Sequence, residues 1–315
     1  MKNKTKCLVT GGAGFIGSHV VDRLLELGHN VVVLDDFSLG KKENLKQHKN
    51  NRSLKIYKKS ICEDLSAIFK KEKFDLVFHL AAMPRVQYSI DNPLDSHETN
   101  IDGTLNVLEH SRRSGVKRFV FSSSSAIYGD QKQTVQTEDL MPNPMSPYAL
   151  HKLTGEYYAS LYYKLYGLET VSLRYFNVFG PRQDPDNPYS NLIPKFIKMA
   201  INNVRPKING DGEQKRDFTF VADVVNANML AATTENKKCF GEIFNVGSGK
   251  NISVNEITQK MFDLAGSKVE PIHGPALIEP KSTLAGIVKT RRLLGWRPEY
   301  SLDESLTKTF DSLAS

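Results

Sequence analysis

The sequence predicts a doubly wound α/β fold, a parallel β-sheet with helices on both faces, followed by a smaller C-terminal lobe. Strand-like and helix-like segments alternate up to about residue 180, which is typical of a parallel sheet. A glycine-rich turn joins the first strand to the first helix. After Gly180 the chain becomes rich in proline and glycine, with shorter apolar runs, and this change predicts the smaller lobe.

The predicted elements follow one another as strand and helix. Strand-like patterns predict strands at 6–10, 30–35, 54–58, 75–80, 117–123 and 169–175. Apolar residues at helical spacing predict helices at 14–28, 63–72, 97–114 and 147–167. The run 240–247 predicts one more strand that returns to the sheet. In such folds, ligands bind at the carboxyl ends of the strands.

The composition is that of an ordinary globular chain. Its 315 residues, 40% hydrophobic and 24% charged, are enough for a full core. We expect no signal peptide and no membrane-spanning segment. The three cysteines lack metal-ligand spacing, so we expect no metal and reduced thiols in a cytoplasm. The net charge of +7 suits an anionic ligand, but no nucleic-acid-binding module accompanies the lysines, so neither nucleic acid nor a membrane is an expected partner.

The first turn has the pattern of a dinucleotide-binding site. Gly11 and Gly14 let the backbone approach a pyrophosphate, Gly17 lets the helix pack closely on the strand, and the helix N-terminus supplies N–H groups. The second predicted strand ends in Asp35 and Asp36, where a carboxylate can bind both ribose hydroxyls and would repel a 2′-phosphate. The pattern therefore favours NAD over NADP. A glycine-rich turn in another parallel α/β protein, with a solvated acidic strand end, would look the same.

Tyr148 and Lys152 lie four residues apart in a predicted helix, so their side chains share one helix face. A tyrosine phenol titrates near pH ~10. A nearby ammonium, together with a nicotinamide cation, lowers that pKa and makes the phenol a usable proton acceptor or donor. The serine run 122–125 ends a predicted strand and faces the same cleft. Singly, these features also fit a surface pair and a polar turn, so only their combination with the glycine turn indicates a catalytic site.

Eight ordered motifs extend this pattern over almost the whole chain: TGGAGFIGSH (10–19), HLAA (79–82), NIDGTLNVLE (100–109), SSSSAIYG (122–129), SPYALHK (146–152), LRYFNVFGPRQDP (173–185), INGDGEQKRDF (208–218) and NVGSG (245–249). On these motifs the chain resembles the extended short-chain dehydrogenase/reductase family and, within it, the UDP-hexose 4-epimerases. The resemblance implies a Rossmann-type NAD-binding domain over residues 1–176, with 219–247 returning to it. A UDP-sugar-binding lobe would comprise 177–218 and 248–315.

The resemblance also implies roles for individual residues. Tyr148 would be the catalytic base, Lys152 would hold the nicotinamide ribose and lower the pKa of the phenol, and Ser124 would hydrogen-bond the reacting 4-hydroxyl. The implied cofactor-binding residues are Gly11, Gly14, Phe15, Ile16, Gly17, Asp35, Asp36, Ser60, Ile61, Leu80, Ala81, Ala82, Asn100, Ser122, Tyr148 and Lys152. The implied substrate-binding residues are Val86, Ser124, Tyr148, Asn177, Asn191, Leu192, Arg216 and Thr283. The reaction would oxidise C4 of a UDP-hexose with tightly bound NAD, turn the 4-keto sugar over, and return the hydride.

Residues beside Ser124 separate this interpretation from related chemistries. The family's 4,6-dehydratases carry an Asp-Glu pair where this chain has Ser125 and Ala126, and the UDP-glucuronate decarboxylases carry a Glu at Ala126. UDP-glucuronate 4-epimerases usually have a threonine at Asn177, so a neutral hexose is favoured. Two other functions remain open: a nucleotide-sugar 4-keto reductase with dissociable NAD(P)H, and a non-catalytic NAD-binding scaffold.

Within the 4-epimerases, the motifs most resemble enzymes acting on UDP-N-acetylglucosamine. Thr283 falls where a large residue crowds the 2-substituent in glucose-restricted members, and threonine leaves room for an acetamido group. We therefore expect activity on UDP-N-acetylglucosamine as well as UDP-glucose, although Thr283 also fits an ordinary loop residue. The chain departs from the family pattern at Ser60, Ala276 and Gly286, where an aspartate, an arginine and an aspartate are usual.

The helices at 97–114 and 147–167 carry apolar residues on more than one face. Leu105, Val107 and Leu108 lie in the first helix, and Tyr157, Leu161 and Leu165 lie in the second. Because related enzymes pair these helices across a two-fold axis as a four-helix bundle, we expect a homodimer. Packing within one chain would give the same pattern.

Overall fold

The computed structural model describes residues 4–186, 191–276 and 280–314. The strands in these ranges are β1 (Lys6–Thr10), β2 (Asn30–Asp35), β3 (Leu54–Lys58), β4 (Leu76–His79), β5 (Arg118–Ser124), β6 (Glu169–Tyr175), β7 (Val178–Phe179), β8 (Lys207–Asn209), β9 (Lys215–Arg216), β10 (Thr219–Phe220), β11 (Glu242–Val246), β12 (Ile252–Ser253) and β13 (Ile272–Gly274). Seven of them form one parallel sheet in the order β11-β6-β5-β4-β1-β2-β3. The predicted fold class is confirmed.

Helices flank the sheet. They are α1 (Phe15–Glu26), α2 (Ser66–Glu72), α3 (Val86–Asp91), α4 (Pro93–His97), α5 (Gly103–Arg113), α6 (Pro147–Tyr166), α7 (Leu192–Ile201), α8 (Val221–Thr233), α9 (Val254–Ala265), α10 (Val288–Leu294) and α11 (Leu302–Ala314). A π-helical segment, Glu98–Asp102, joins α4 to α5, so one continuous helical stretch begins earlier than the predicted residue 97. None of the helices in the described ranges is both long and apolar enough to cross a membrane.

The central strands are buried on both faces because helices cover the sheet on each side. In β2, Val31 to Leu34 are at most 1% exposed, and Leu8 and Val9 of β1 are fully buried. A parallel sheet covered on both faces requires continuous apolar runs, and these runs are what located the two strands in the sequence. The carboxyl ends of β1, β2, β4, β5 and β6 share one edge of the sheet.

The C-terminal part adds small strand pairs outside the main sheet. β9 pairs with β12, and β8 pairs with β13. Helices α7, α9 and α11 pack on one another beside these strands. This arrangement places the segment around β9 next to the carboxyl edge of the sheet, since β7 follows β6 directly and pairs with β10.

Candidate active site

Ser124, Tyr148 and Lys152 meet at the carboxyl end of β5. Ser124 is the last residue of the strand, and α6 brings the other two residues against it. The ammonium of Lys152 donates a hydrogen bond to the carbonyl oxygen of Ser122 at 2.7 Å and lies 6.0 Å from the centre of the Tyr148 ring. A side-chain hydrogen bond links Tyr148 to Ser124. The structure therefore brings together the three residues predicted to be catalytic.

The start of α6 is fixed by local contacts that set the position of Tyr148. Ser146 caps the helix by accepting a hydrogen bond from the backbone N–H of Ala149 at 3.2 Å, and Pro147 occupies the first turn. The backbone N–H of Tyr148 donates to the hydroxyl of Ser89 in α3 at 3.0 Å. These contacts fix the first turn of α6 and hold it against α3.

Burial shifts the pKa values of Tyr148 and Lys152. It raises the pKa of the Tyr148 phenol, and the hydrogen bond with Ser124 acts in the opposite direction. Burial lowers the pKa of Lys152 to about 8, which leaves the ammonium mostly charged at neutral pH. In the chain alone, then, desolvation outweighs the effect expected from Lys152 on the phenol. A low phenol pKa needs further positive charge at the site.

The glycine turn fits a bound dinucleotide. Gly11 has a φ of +67°, and a Cβ there would lie 2.7 Å from the backbone nitrogen of Ala81. A Cβ on Gly17 would lie 2.1 Å from the carbonyl oxygen of Gly11. Gly14 is the N-cap of α1 and provides no side-chain cap, and the first turn, with Phe15 and Ile16, contains no acidic residue. The first N–H groups of α1 are therefore suited to a pyrophosphate.

The two aspartates after β2 have different surroundings. The carboxylate of Asp35 is buried and accepts hydrogen bonds from the N–H groups of Ala13 at 2.9 Å and Phe37 at 2.8 Å. Asp36 is exposed, and its carboxylate accepts from Ser38. Asp35 thus stabilises the glycine turn and retains lone pairs for a ribose. The sequence alone did not show which of the two aspartates has this position.

The predicted adenine-side residues follow β3. The hydroxyl of Ser60 accepts a hydrogen bond from the backbone N–H of Cys62 at 3.2 Å, and Ile61 is buried. Ser60 therefore faces its own turn. This hydrogen bond is the local contact that a serine makes at the position where an aspartate is usual.

Asn100 lies in the π-helical segment and supports the loop after β4. Its side chain accepts from the N–H of Met83 at 2.7 Å and donates to the Met83 carbonyl at 3.1 Å. This pair of contacts fixes the loop that carries the predicted residues Leu80, Ala81 and Ala82. Val86 follows at the start of α3 and is exposed. π-Helical turns are frequent at functional sites, and this one widens the helix where Asn100 reaches the loop.

Two predicted substrate residues, Asn177 and Thr283, are hydrogen-bonded to the backbone of Asp217. The side chain of Asn177 donates to the carbonyl oxygen of Asp217 at 2.9 Å, and the backbone N–H of Asp217 contacts the hydroxyl of Thr283 at 3.4 Å. Arg216 is the last residue of β9 and immediately precedes Asp217 in the chain. Asn191 is the N-cap of α7, and Leu192 begins that helix.

The departure at Gly286 has a steric reason. A Cβ there would lie 2.6 Å from the Thr137 side chain and 3.1 Å from the Gln136 carbonyl oxygen. The backbone N–H of Gly286 donates to that carbonyl at 2.8 Å. An aspartate would not fit this packing.

Sequence reasoning missed two buried acidic residues near the site. Glu156 forms an ion pair with Arg174 and accepts from Ser123 beneath the strand end. Asp217 accepts hydrogen bonds from Ser248, Gly249 and Ala285. Asp217 lies inside the motif at 208–218, whereas Glu156 lies in the predicted helix 147–167 but outside the motifs. Only the structure shows that both side chains are buried and hydrogen-bonded to several segments.

Comparisons with known proteins agree with this geometry. Residues 7–247 match the model of the NAD dependent epimerase/dehydratase family. A putative UDP-glucose 4-epimerase of Methanocaldococcus jannaschii is 39% identical over 302 residues, which cover 96% of each chain.

Solved structures are similar over 98% of both chains. A UDP-glucose 4-epimerase of Thermotoga maritima with UDP-glucose has 39% identity and a TM-score of 0.92. A UDP-N-acetylglucosamine 4-epimerase of Methanobrevibacter ruminantium in complex with UDP-N-acetylmuramic acid has 37% identity and a TM-score of 0.93. A UDP-glucuronic acid 4-epimerase of Bacillus cereus with UDP-glucuronic acid and NAD has 33% identity and a TM-score of 0.90.

Proposed function

The chain belongs to the NAD dependent epimerase/dehydratase family and is an NAD-dependent sugar-nucleotide epimerase, and we propose that its reaction interconverts UDP-glucose with UDP-galactose and UDP-N-acetylglucosamine with UDP-N-acetylgalactosamine. The observation that carries this proposal is the meeting of buried Tyr148 and Lys152 with half-buried Ser124 at the carboxyl end of β5. We place the reaction in the cytoplasm, in keeping with three free cysteines.

In this proposal Tyr148 and Ser124 act on the C4 hydroxyl of the sugar, and Lys152 acts on Tyr148. When bound, NAD supplies a reversible hydride acceptor for C4. Tyr148 takes the hydroxyl proton and later returns it, while Ser124 hydrogen-bonds the same oxygen. Lys152, fixed by the Ser122 carbonyl, places positive charge beside the Tyr148 ring.

The remaining residues bind the two nucleotides. Gly11 and Gly14 would let the backbone approach the pyrophosphate of NAD, Gly17 would keep α1 close to the turn, and Asp35 would bind the ribose. Asn177, Asn191 and Arg216 bind the UDP diphosphate and uridine. We propose that residues 177–218 and 248–315 form the lobe that carries these substrate contacts.

The proposal is tested by incubating the purified protein separately with UDP-glucose, UDP-N-acetylglucosamine and UDP-glucuronate, without added cofactor. We expect the first two sugars to be epimerised at C4 by protein that contains NAD as purified. Stoichiometric consumption of added NADH would indicate a keto-sugar reductase instead. An absence of turnover with all three sugars would leave only a scaffold role.

Substituting Thr283 with tyrosine is expected to remove activity on UDP-N-acetylglucosamine while UDP-glucose is turned over equally well or better. The backbone N–H of Thr283 is held by the Lys215 carbonyl at 3.1 Å, and its hydroxyl contacts the N–H of Asp217. A bulky ring at this point would occupy the space we assign to the acetamido group. The ratio of kcat/KM for the two substrates measures the effect.

Two matched variants separate size from hydrogen bonding at this position. Thr283→Ser keeps the hydroxyl, and Thr283→Val keeps the size without it. Both should retain the substrate ratio of the parent protein. An unchanged ratio in Thr283→Tyr would contradict the assignment of Thr283 to the sugar pocket.

The protein is further proposed to form a homodimer through the exposed face of α6. Leu150, Tyr157, Leu161 and Leu165 lie on one stripe of this helix and are between 45% and 61% exposed. In α5, Val107 and Leu108 are fully buried in the core, and Leu105 is partly buried against it. The apolar face thus comes from α6 and from Leu94 of α4, which is 85% exposed and packs beside it.

Light scattering at micromolar concentration should give twice the 35.4 kDa mass of one chain. Leu161→Glu places a charge on the stripe and should shift the mass toward the monomer. Leu264→Glu, at an exposed leucine of α9, is the matched control and should leave the dimer intact. A monomeric mass for the unmodified protein would refute the proposal.

A further inference from the structure

Asp217 is a buried carboxylate that joins three separate segments. Its side chain is fully buried. One carboxylate oxygen accepts from the backbone N–H and the hydroxyl of Ser248, both at 2.7 Å. The other accepts from the N–H groups of Gly249 and Ala285, both at 3.0 Å. The turn after β11 and the loop that carries Thr283 are therefore both attached to this side chain.

The backbone of Asp217 contacts the proposed substrate residues directly. Its carbonyl accepts from the Asn177 side chain at 2.9 Å, and its N–H reaches the Thr283 hydroxyl at 3.4 Å. Arg216 is its neighbour in the chain. Asn177, Arg216 and Thr283 come from distant parts of the sequence, and each is one hydrogen bond or one peptide bond away from Asp217.

The side chains and backbone around Asp217 are tightly packed. A Cβ on Gly247 would lie 2.3 Å from the Ala285 side chain and 3.0 Å from the Asp217 carboxylate. Burial raises the pKa of Asp217 to about 6, and hydrogen bonds from Ser248, Ala285 and Gly249 oppose that effect. The carboxylate is thus ionised at neutral pH. An amide in its place would direct an N–H group at donors and leave buried groups unpaired.

A second buried aspartate, Asp223, serves as the control for Asp217. Asp223 in α8 is 2% exposed, and burial also raises its pKa to about 6. Its carboxylate accepts from the backbone N–H of Glu299 at 2.8 Å and supports the C-terminal segment. Asp223 has the same chemistry as Asp217, but Glu299, which donates to it, is not one of the proposed substrate residues.

We infer that Asp217 is a positioning residue for the UDP-sugar, because it aligns Asn177, Arg216 and Thr283 without touching the ligand. This inference rests on the proposed function of the same site. Loss of the carboxylate should weaken nucleotide binding and raise KM more than it lowers kcat. Bound NAD should be retained, because the glycine turn and Asp35 are held by other contacts.

The test compares Asp217→Asn with Asp223→Asn in the purified NAD-containing protein. Calorimetry with UDP gives Kd without turnover, and initial rates with UDP-glucose give KM and kcat. We expect Asp217→Asn to raise both the Kd for UDP and the KM by about ten-fold or more, with a smaller change in kcat and unchanged NAD content. Asp223→Asn should leave Kd and KM close to those of the parent.

The outcomes distinguish this inference from the proposed function. If the parent protein binds UDP and epimerises UDP-glucose, but the two variants have equal Kd values, only the positioning role is overturned. If the parent neither binds UDP nor turns over a UDP-sugar, the proposed function fails as well. Should Asp217→Asn not fold, Ser248→Ala removes one hydrogen bond to the intact carboxylate and should raise the Kd for UDP by about three-fold. An unchanged Kd in that variant would also overturn the inference.

Discussion

Replacing Tyr148 with phenylalanine is expected to lower the turnover of UDP-glucose by about 10²–10⁴-fold, the range that a positioned proton donor and acceptor contributes. The substitution removes one oxygen from a buried side chain and leaves the apolar contacts of its ring in place. Initial rates measure the loss, and the NAD content of the purified protein shows whether the cofactor site is intact. Undiminished turnover would exclude Tyr148 as the proton acceptor.

Tyr166→Phe is the matched control for this variant. Tyr166 lies at the far end of α6, is 53% exposed and would lose the same atom. It should retain the rate of the parent protein. A comparable loss in both variants would point to damage of the helix rather than to proton transfer.

Replacing Glu156 with glutamine is expected to lower the free energy of unfolding by about 3–5 kcal/mol, because it leaves the Arg174 guanidinium buried without a counter-ion. The two side chains are at most 2% exposed and form two hydrogen bonds, at 2.8 and 2.7 Å. Ser123 donates to the same carboxylate at 2.5 Å, which ties the pair to the end of β5. Denaturant unfolding at one fixed NAD concentration measures the loss, since bound cofactor adds stability of its own.

The surface pair Lys260 and Asp303 provides the control. Its atoms are 2.7 Å apart, but the carboxylate side chain is 74% exposed, so Asp303→Asn should change stability little. Adding Arg174→Met to Glu156→Gln removes the unpaired charge and should restore part of the loss. Equal stability of Glu156→Gln and Asp303→Asn would contradict the importance of the buried pair.

Periodicity was sufficient for most of the sheet. The predicted bounds of β1, β2, β3 and β6 agree with the structure. The first two strands contain apolar runs, and the other two intersperse apolar with polar residues as strands do. The combination of glycine turn, serine run and Tyr148 with Lys152 also identified elements that meet at one edge of the sheet. These features depend mainly on local sequence and on the parallel order of the strands.

The features that periodicity missed depend on contacts between distant segments. The π-helical turn at Asn100 is stabilised by the Met83 backbone, which no helical pattern reveals. Asp217 follows Lys215 and Arg216, and a charged run of this kind predicts an exposed loop. Its burial arises only when the segments around Ser248 and Ala285 fold over it. The apolar residues of α5 could not be divided between core and surface without knowledge of its neighbours.

The most direct test of the account follows the hydrogen on C4. Purified protein is incubated without added cofactor with UDP-glucose that carries deuterium at C4, and the product is examined by NMR. The account predicts UDP-galactose with the deuterium still at C4, since the hydride never leaves the site. Formation of product without the label, or only when NADH is supplied, would contradict it.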